Sequence, residues 1–230
     1  MFGASGGIGG ALLRHLASDP RCVRIHAGSR GPIDAPDDRI IPFRFDFNDH
    51  ASVAAAASTI ATPHLAIVAT GRLHGANMFP EKTMRTLDPV QMAESFAINA
   101  IGPAMIARHI LPKLPRHQRS LFAVISARVG SISDNRLGGW HSYRASKAAL
   151  NMLVRCFAIE AARTHPLAVC AALHPGTVDT ALSKPFQTGA APHRLFDPQT
   201  AARHLLEALD RLTPDQSGRL FGWDGQEIQP

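Results

Sequence analysis

Two residues of this sequence, Tyr143 and Lys147, have the side chains and the spacing to move a proton. They are four residues apart in a stretch with helical periodicity, so their side chains share one face of a helix. A phenol is a poor acid or base near neutral pH, but a nearby ammonium favours the phenolate and lowers the pKa of the tyrosine. We therefore expect Tyr143 to act as a general acid towards a carbonyl or a general base towards an alcohol. A surface Tyr–Lys pair is the plain alternative, and it is weakened because this is the only tyrosine in the chain.

A second candidate site is the glycine-rich opening, MFGASGGIGG. Gly3, Gly7 and Gly9 form a G-x-x-x-G-x-G pattern just before an amphipathic helical stretch. Glycines at such a turn let the backbone bend tightly and approach a pyrophosphate, which binds at the helix N-terminus. A tight turn that holds no ligand can have the same composition, so the pattern alone leaves both interpretations open.

The elements that must position these groups alternate between strands and helices. Apolar runs predict strands at 22–27, 40–47, 65–69, 121–126, 167–173 and 218–223. Helical periodicity predicts helices at 8–18, 51–60, about 89–114 and about 142–163, and a last one that begins at Asp197 as N-cap. This alternation predicts an α/β fold, a doubly wound parallel sheet of about seven strands. No linker or repeat divides the chain, so we expect a single domain over 1–230. Pro42 lacks an N–H, which favours a sheet edge for its strand.

Composition excludes several other classes. The net charge of +6 comes from scattered basic residues, nearly all arginine, with no cluster that interleaves with aromatics, so we expect no nucleic-acid partner. No apolar run is long enough to span a bilayer, and we expect no membrane partner. The three cysteines are widely spaced with no C-x-x-C, which indicates a reducing, cytoplasmic location. The histidines show no metal-ligand spacing, so we expect no metal.

Several motifs in order resemble the short-chain dehydrogenase/reductase family, a one-domain Rossmann fold. They are GASGGIG (3–9), the strand-end Asp46, FAINAIGP (96–103), YRASK (143–147) and HPGTVDT (174–180). The stretch SARVGSISDNRLGGWHSYRASKAALN and the ending GRLFGWDGQEI are similar to the C-factor-like branch of that family. The resemblance covers nearly the whole chain.

The resemblance implies NAD(P)-dependent redox chemistry between a carbonyl and an alcohol on a small molecule. In the family's roles Tyr143 exchanges the proton, Lys147 also holds the nicotinamide ribose, Asp46 contacts the adenine, and the P-G-x-V-x-T segment holds the nicotinamide side. The cofactor-binding residues implied in this way are Gly3, Ser5, Gly7, Ile8, Gly9, Arg30, Asp46, Gly71, Tyr143, Lys147, Pro175, Gly176, Val178 and Thr180.

Asn99 corresponds to the family's helix asparagine, which belongs to a water-linked proton relay. Pro103 stands four residues later and has no N–H to offer the carbonyl of Asn99. That carbonyl is therefore expected to be free to bind a water, in a helix that kinks there. A buried asparagine satisfied by its neighbours is the alternative.

The chain departs from the family pattern at the catalytic serine. Ala127 stands where the family places this residue in S-S-x-x-G, and alanine has no hydroxyl to polarise a carbonyl. Ser126 is our candidate for the role, although a continuing strand would turn it to the opposite face. Ser131 and Ser133 in the next loop are further candidates. The usual N-N-A-G is also altered, to Val-Ala-Thr-Gly at 68–71, so a structural amide contact is expected to be lost.

The end of the second strand of the fold predicts the choice of cofactor. Folds that prefer NAD carry Asp or Glu there to bind the ribose 2′-OH. Here the sequence is HAGSRG, with no acid, and Asp34 is too far along. Arg30 could pair with a 2′-phosphate instead. We therefore expect NADP(H) to be favoured over NAD(H).

Two alternatives to a carbonyl reductase stay open at this point. One is a nucleotide-binding signalling or regulatory protein with little or no turnover, which Ala127 would suit. The other is a sugar-nucleotide epimerase, for which the roughly 50 residues after HPGTVDT leave little room. Residues 181–196 are expected to form a loop over the substrate. The sequence does not identify the substrate or the reaction direction, and it leaves a homo-oligomer open.

The start of the chain conflicts with the expected fold. The glycine turn should follow a central strand of about five residues, but only Met1 and Phe2 precede it. We expect that two residues cannot pair along both neighbouring strands. Either the given start lies inside a longer gene product, which we favour, or the fold has a shortened central strand.

Overall fold

One twisted sheet positions every other part of the molecule. The computed structural model describes residues 1–75, 78–187 and 195–230. Its strands are β1 (Ile25–Ser29), β2 (Ile40–Arg44), β3 (Leu65–Val68), β4 (Ser120–Ile125), β5 (Ala168–His174), β6 (Thr177–Val178), β7 (Leu195–Phe196), β8 (Arg219–Gly222) and β9 (Glu227–Ile228). Strands β6 and β7 form a separate parallel pair. The others make the main sheet, in the order β2-β1, then Phe2, then β3-β4-β5-β8-β9.

The main sheet is parallel except at β9, which runs antiparallel to β8. In the described residues it contains the six strands predicted after the start of the chain, with Phe2 at the place of the truncated first strand, and the two-residue β9, which was not predicted. Strand β2 pairs only with β1, and Pro42 lies opposite Ala27. The prediction that the proline-containing strand lies at an edge is therefore confirmed among the described residues.

Helices cover both faces of the sheet, as a parallel sheet requires. They are α1 (Gly7–Ser18), α2 (His50–Ser58), α3 (Pro89–Phe96), α4 (Gly102–Ile110), α5 (His141–Ala161) and α6 (Pro198–Arg211). Helices α1 and α6 pack on one face through Leu12 and Leu205. Helices α2, α4 and α5 pack on the other through Val53, Ile106 and Val154. The fold is thus the predicted doubly wound α/β fold.

A single residue, Phe2, stands between β1 and β3. Its N–H donates to the carbonyl of Ile67 and its carbonyl accepts from the N–H of Ala69, both at 2.8 Å. On the other side the N–H of Gly28 donates to the carbonyl of Met1 at 2.8 Å. The expectation that these two residues cannot pair with both neighbours is wrong, because Phe2 forms a parallel bridge to Gly28 of β1 and another to Val68 of β3.

Two predicted elements have different bounds in the structure. The strand predicted at 40–47 ends at Arg44, because Asp46 forms a bridge to Asp49 that turns the chain into α2. The helix predicted over about 89–114 is interrupted by a π-helical turn at 97–101, where the N–H of Gly102 donates to the carbonyl of Ala97. The missing N–H of Pro103 explains why the regular pattern fails there.

Candidate active site

Tyr143 and Lys147 lie one turn apart on α5, as their spacing predicts. The ammonium nitrogen of Lys147 is 5.8 Å from the centroid of the Tyr143 ring. It also donates a hydrogen bond of 2.8 Å to the carbonyl oxygen of Ile125, at the end of β4. Both side chains line a cavity of about 540 Å³, which we call the catalytic cavity. The pair therefore faces a space large enough for a small substrate.

Burial sets the ionisation of this pair. It raises the pKa of Tyr143 above its ordinary value of 10.0. It also lowers the pKa of Lys147 from 10.5 to about 7. The expectation that the ammonium lowers the pKa of Tyr143 is wrong for this chain, because desolvation of the phenolate outweighs the charge of the neighbouring ammonium. At neutral pH Tyr143 is thus protonated, the state that a general acid needs.

Asn99 is 0% exposed and ties the loop after β3 to α5. Its Oδ1 accepts from the N–H of Arg72 at 2.8 Å, and its Nδ2 donates to the carbonyl of Arg72 at 2.8 Å and to the hydroxyl of Ser146 at 3.1 Å. That hydroxyl donates to the carbonyl of Tyr143 at 2.8 Å. The Asn99 side chain is therefore satisfied by its neighbours, while the role of its main-chain carbonyl in a relay stays a prediction.

Ser126 and Ala127 both line the catalytic cavity, but their side chains differ in direction. The backbone at Ala127 is extended, with φ −154° and ψ 148°, so successive side chains point to opposite sides. The hydroxyl of Ser126 donates to Oδ1 of Asn151 on α5 at 2.7 Å. Its proton is therefore already used, and the catalytic role of Ser126 stays a prediction.

The two serines of the next loop bind the last residues of the chain. The hydroxyl of Ser131 donates to the carbonyl of Gln229 at 2.5 Å. The N–H of Ser133 donates to the carbonyl of Pro230 at 3.1 Å. Neither serine is among the described residues that line the catalytic cavity. Both contacts favour a structural role for this loop.

The glycine turn has the geometry of an anion site. Gly3 has a left-handed backbone with φ +91°. A Cβ at Gly7 would lie 2.6 Å from Cγ2 of Thr180, and one at Gly9 would overlap the carbonyl oxygen of Gly3. Within the described residues no side chain caps the N-terminus of α1, so the N–H groups of its first turn are free to bind a phosphate. These residues fit the pyrophosphate of a dinucleotide.

A second cavity of about 560 Å³, the adenosine-side cavity, adjoins the first one. The two cavities share Gly6, Arg30, Thr70 and Gly71 among others, so they form one groove. The sequence-predicted residues divide between them. The adenosine-side cavity is lined by Gly3, Ser5, Arg30, Asp46 and Gly71, and the catalytic cavity by Gly7, Ile8, Arg30, Gly71, Tyr143, Lys147, Pro175, Gly176, Val178 and Thr180. Gly9 lines neither because it packs beneath the turn.

Arg30 is exposed and directly follows β1, where it borders both cavities. Its carbonyl oxygen accepts a hydrogen bond of 3.1 Å from Nε of Arg44 on the edge strand. Asp46 lines the adenosine-side cavity as well, and its Oδ1 accepts from the N–H of Asn48 at 2.9 Å. Arg30 and Asp46 therefore border the same cavity.

The sequence reasoning missed the aromatic residues beside Tyr143. Trp140 and Phe186 line the catalytic cavity, with ring centroids 5.0 Å apart. Trp140 has a left-handed backbone, with φ 51° and ψ 38°, which costs on the order of 1–3 kcal/mol for a bulky residue. The dipeptide Gly138-Gly139 before it was the only signal, since glycines favour that conformation.

Glu81 was missed as well, and it holds the start of α5. Its carboxylate accepts from the hydroxyl of Ser142, and from the N–H of Ser142 at 3.2 Å. Its main-chain carbonyl accepts from the N–H of Trp140 at 2.5 Å. At 5% exposure this carboxylate sits at a helix N-terminus, where negative charge is stabilised. Glu81 therefore positions the turn that carries Tyr143.

The segment predicted to cover the substrate lies partly outside the described residues, which leave out 188–194. In the described part, Leu182 and Phe186 line the catalytic cavity. At the end of this segment, Leu195 and Phe196 pair with β6. Strand β6 itself directly follows Pro175 and Gly176. Its role as a substrate loop stays a prediction.

This fold and this groove define a dinucleotide-binding oxidoreductase of the Rossmann type. The short chain dehydrogenase family model matches residues 1–191, and the chain belongs to that family. It is 37% identical to C-signal of Myxococcus xanthus over 62% of this chain and 80% of that one. It is 32% identical to 1-hydroxy-2-glutathionyl-2-methyl-3-butene dehydrogenase of Rhodococcus sp. strain AD45, over 80% of this chain and 77% of that one. The resemblance to the C-factor-like branch is thereby confirmed.

Solved structures agree with the fold. The NADPH-bound carbonyl reductase from chicken fatty liver superposes with a TM-score of 0.80 at 26% identity, covering 100% of this chain and 97% of that one. The carbonyl reductase Sniffer of D. melanogaster gives a TM-score of 0.86 at 20% identity over the same shares. The chain is accordingly an NAD(P)-dependent oxidoreductase that uses a nicotinamide cofactor and a small-molecule substrate.

Two further features of the described residues bear on other partners. None of their helices is both long enough and apolar enough to cross a membrane. In the same part of the chain, no three His, Cys, Asp or Glu side chains are grouped as a metal site would need.

Proposed function

We propose that this protein is a carbonyl reductase that favours NADP(H) and is assisted by Tyr143, Lys147 and Asn99. The observation that carries the proposal is the position of Tyr143. Its buried, protonated phenol borders the catalytic cavity, and that cavity continues into the groove at the glycine turn. A proton donor beside a nucleotide groove is the arrangement that carbonyl reduction needs.

The reaction then divides between cofactor and protein. The bound nicotinamide supplies the hydride. Tyr143 donates its hydroxyl proton to the carbonyl oxygen as the alcohol forms. Lys147 is held by the carbonyl of Ile125 near the phenol, and in its protonated form it stabilises the phenolate left behind. Asn99 holds the loop at Gly71 against α5, and a water on its main-chain carbonyl would return a proton to the site.

The preference for NADP(H) rests on the residues after β1. Ser29 and Arg30 stand where folds that prefer NAD carry an acid. The guanidinium of Arg30 offers a charge-assisted pair to a 2′-phosphate, which NADPH has and NADH lacks. NADH has no 2′-phosphate, so it cannot form this pair with Arg30.

A second candidate is a nucleotide-binding protein with little turnover, and Ala127 favours it. The catalytic cavity lacks a hydroxyl at the position where the family carries its serine, so a substrate carbonyl would be polarised less. If this candidate is right, the protein binds the nucleotide but reduces no carbonyl.

The test is NADPH oxidation by purified protein with a panel of aldehydes and ketones, together with a direct measurement of NADPH binding. We expect turnover that falls about 10²- to 10⁴-fold in Tyr143→Phe while the Kd for NADPH stays within about threefold. The matched control is Cys156→Ser, an exposed position on the same helix, which should keep full activity. Binding without turnover on any carbonyl would favour the second candidate.

A further inference from the structure

The catalytic cavity has an aromatic wall, formed by Trp140 and Phe186, directly beside Tyr143. The Trp140 and Phe186 rings meet at 63° with centroids 5.0 Å apart. The Trp140 ring is 6.3 Å from the Tyr143 ring at 71°. All three residues line the same cavity, so any molecule whose carbonyl reaches Tyr143 must lie next to this wall.

Both residues of the wall have contacts that hold them in place. The His74 ring packs on Phe186 with centroids 5.7 Å apart, and Nε2 of His74 is 3.0 Å from the carbonyl oxygen of Ala181. The main-chain N–H of Trp140 donates a hydrogen bond to the main-chain carbonyl of Glu81. The wall is therefore built before a substrate arrives, and little ordering of side chains is needed when one binds.

The backbone conformation of Trp140 indicates that its indole ring has a function. Gly138, Gly139 and Trp140 have φ values of +63°, +62° and 51°, a left-handed run in which glycine would be the least strained residue. A bulky aromatic residue at its end is unfavourable locally. Strain of this kind persists where the side chain has a task, and here the side chain lies half-buried at the cavity.

The charged side chains that line the cavity limit the class of possible substrates further. Among the described residues, its lining includes no Asp or Glu. Of its cationic side chains, Lys147 is bound to the carbonyl of Ile125, and Arg30 lies where the groove continues towards the adenosine-side cavity. His174 also lines it, and burial lowers the pKa of His174 to about 4, so this ring is neutral at pH 7. Around Tyr143 the cavity therefore suits an uncharged group, to which the aromatic wall offers an apolar surface.

We propose that the substrate is an aromatic aldehyde or ketone whose ring packs against Trp140 and Phe186 while its carbonyl oxygen reaches Tyr143. This inference rests on the proposed carbonyl reductase function. In the reduction the carbonyl carbon gains a hydride from NADPH, which becomes NADP⁺, and the carbonyl oxygen gains the proton of Tyr143. The product is the corresponding benzylic alcohol.

The first test compares two substrates of equal ring size, benzaldehyde and cyclohexanecarbaldehyde, in NADPH oxidation. Each aromatic pair adds roughly two- to tenfold beyond the area it buries. We expect wild type to favour benzaldehyde in kcat/KM by about tenfold, Trp140→Leu and Phe186→Leu to lose most of that ratio, and Trp140→Tyr to keep it. Turnover of both aldehydes with equal kcat/KM in wild type would overturn the aromatic preference and leave the reductase intact.

A second readout does not depend on turnover. Trp223 packs on Phe196 with centroids 4.7 Å apart and is not among the described residues lining either cavity, so Trp223→Phe leaves Trp140 as the only fluorescent tryptophan. With NADPH bound, which cannot react with an alcohol, we expect benzyl alcohol to change that fluorescence at concentrations where cyclohexylmethanol does not. Equal responses to the two alcohols would contradict the proposal. Absence of any carbonyl turnover, by contrast, would refute the reductase function itself.

Discussion

The hydroxyl of Ser126 donates to Oδ1 of Asn151 at 2.7 Å, and this bond turns the serine away from the position of Ala127. Asn151 is two turns past Tyr143 on α5, so the bond connects the end of β4 to the catalytic helix. Ser126 therefore links the end of β4 to α5. Ala127, which lines the cavity beside Ser126, has no hydroxyl.

The first prediction follows from this bond. Ser126→Ala should lower kcat/KM less than about tenfold and reduce the free energy of unfolding by about 1 kcal/mol, the typical net value of one hydrogen bond. Ala127→Ser should raise kcat for an accepted carbonyl, because it adds a donor to the cavity wall. Steady-state kinetics and urea unfolding of both variants check this. A folded Ser126→Ala protein without turnover would give Ser126 the catalytic role instead.

The second prediction concerns Arg30. Arg30→Ala should raise the Kd for NADPH by about tenfold or more and leave that for NADH within about twofold, because only NADPH carries the 2′-phosphate. Arg30→Lys is the matched control and should lose less affinity for NADPH than Arg30→Ala, since lysine keeps the positive charge but lacks the planar guanidinium. Fluorescence titration with both nucleotides measures the two values. Parallel losses for NADPH and NADH would mean that Arg30 does not contact the phosphate.

The third prediction concerns Glu81. Glu81→Gln removes the negative charge and keeps one acceptor for Ser142, so we expect a stability loss of about 1–3 kcal/mol. If Glu81 positions Tyr143 through the start of α5, kcat should fall severalfold while the Kd for NADPH stays unchanged. Ser142→Ala is the control that removes one of the two contacts. A variant with the expected loss of stability and an unchanged kcat would make Glu81 purely structural.

Motifs with fixed sequence spacing were predictable in this chain. The pair Tyr143 and Lys147 follows from helical periodicity, and the glycine turn follows from its place before α1, because both depend on neighbours within a few residues. The edge position of β2 follows from Pro42 alone. These features are local, so a single sequence is enough to predict them.

Features set by packing between distant segments were not predictable. Phe2 bridges two strands, at Gly28 and Val68, which are 26 and 66 residues away in the sequence. Burial of Tyr143 reverses the expected direction of its pKa shift, and burial depends on the whole fold. The contact of Glu81 with Ser142 joins segments 61 residues apart, which no local pattern indicates.

The last prediction is a pH dependence of stability that comes from Lys147. Burial lowers its pKa from 10.5 to about 7 in the folded protein. Between these values the unfolded chain holds a proton that the folded protein has released, so the free energy of unfolding rises with pH across that window. Below pH 7 both states are protonated and the full penalty of burying the charge is present. Stability without nucleotide should therefore be higher at pH 9 than at pH 7.

Lys147→Met tests this directly, because it removes the charge and keeps a side chain of similar length. We expect the variant to melt higher than wild type at pH 7 and to lose most of the rise between pH 7 and pH 9, although it gives up the bond to the carbonyl of Ile125.

Other buried groups titrate near this window, so wild type and variant are compared at each pH. Burial lowers the pKa of the Met1 amino group from 8.0 to about 5 and that of His174 from 6.5 to about 4, and each adds a rise in stability with pH up to its ordinary value. Burial raises the pKa of the Cys170 thiol from 9.0 to about 12 and that of Tyr143 above 10.0, so each lowers stability as the pH passes its ordinary value. The same change in stability from pH 7 to pH 9 in wild type and in Lys147→Met would show that Lys147 keeps an ordinary pKa, and the charge it offers Tyr143 would then be complete at neutral pH.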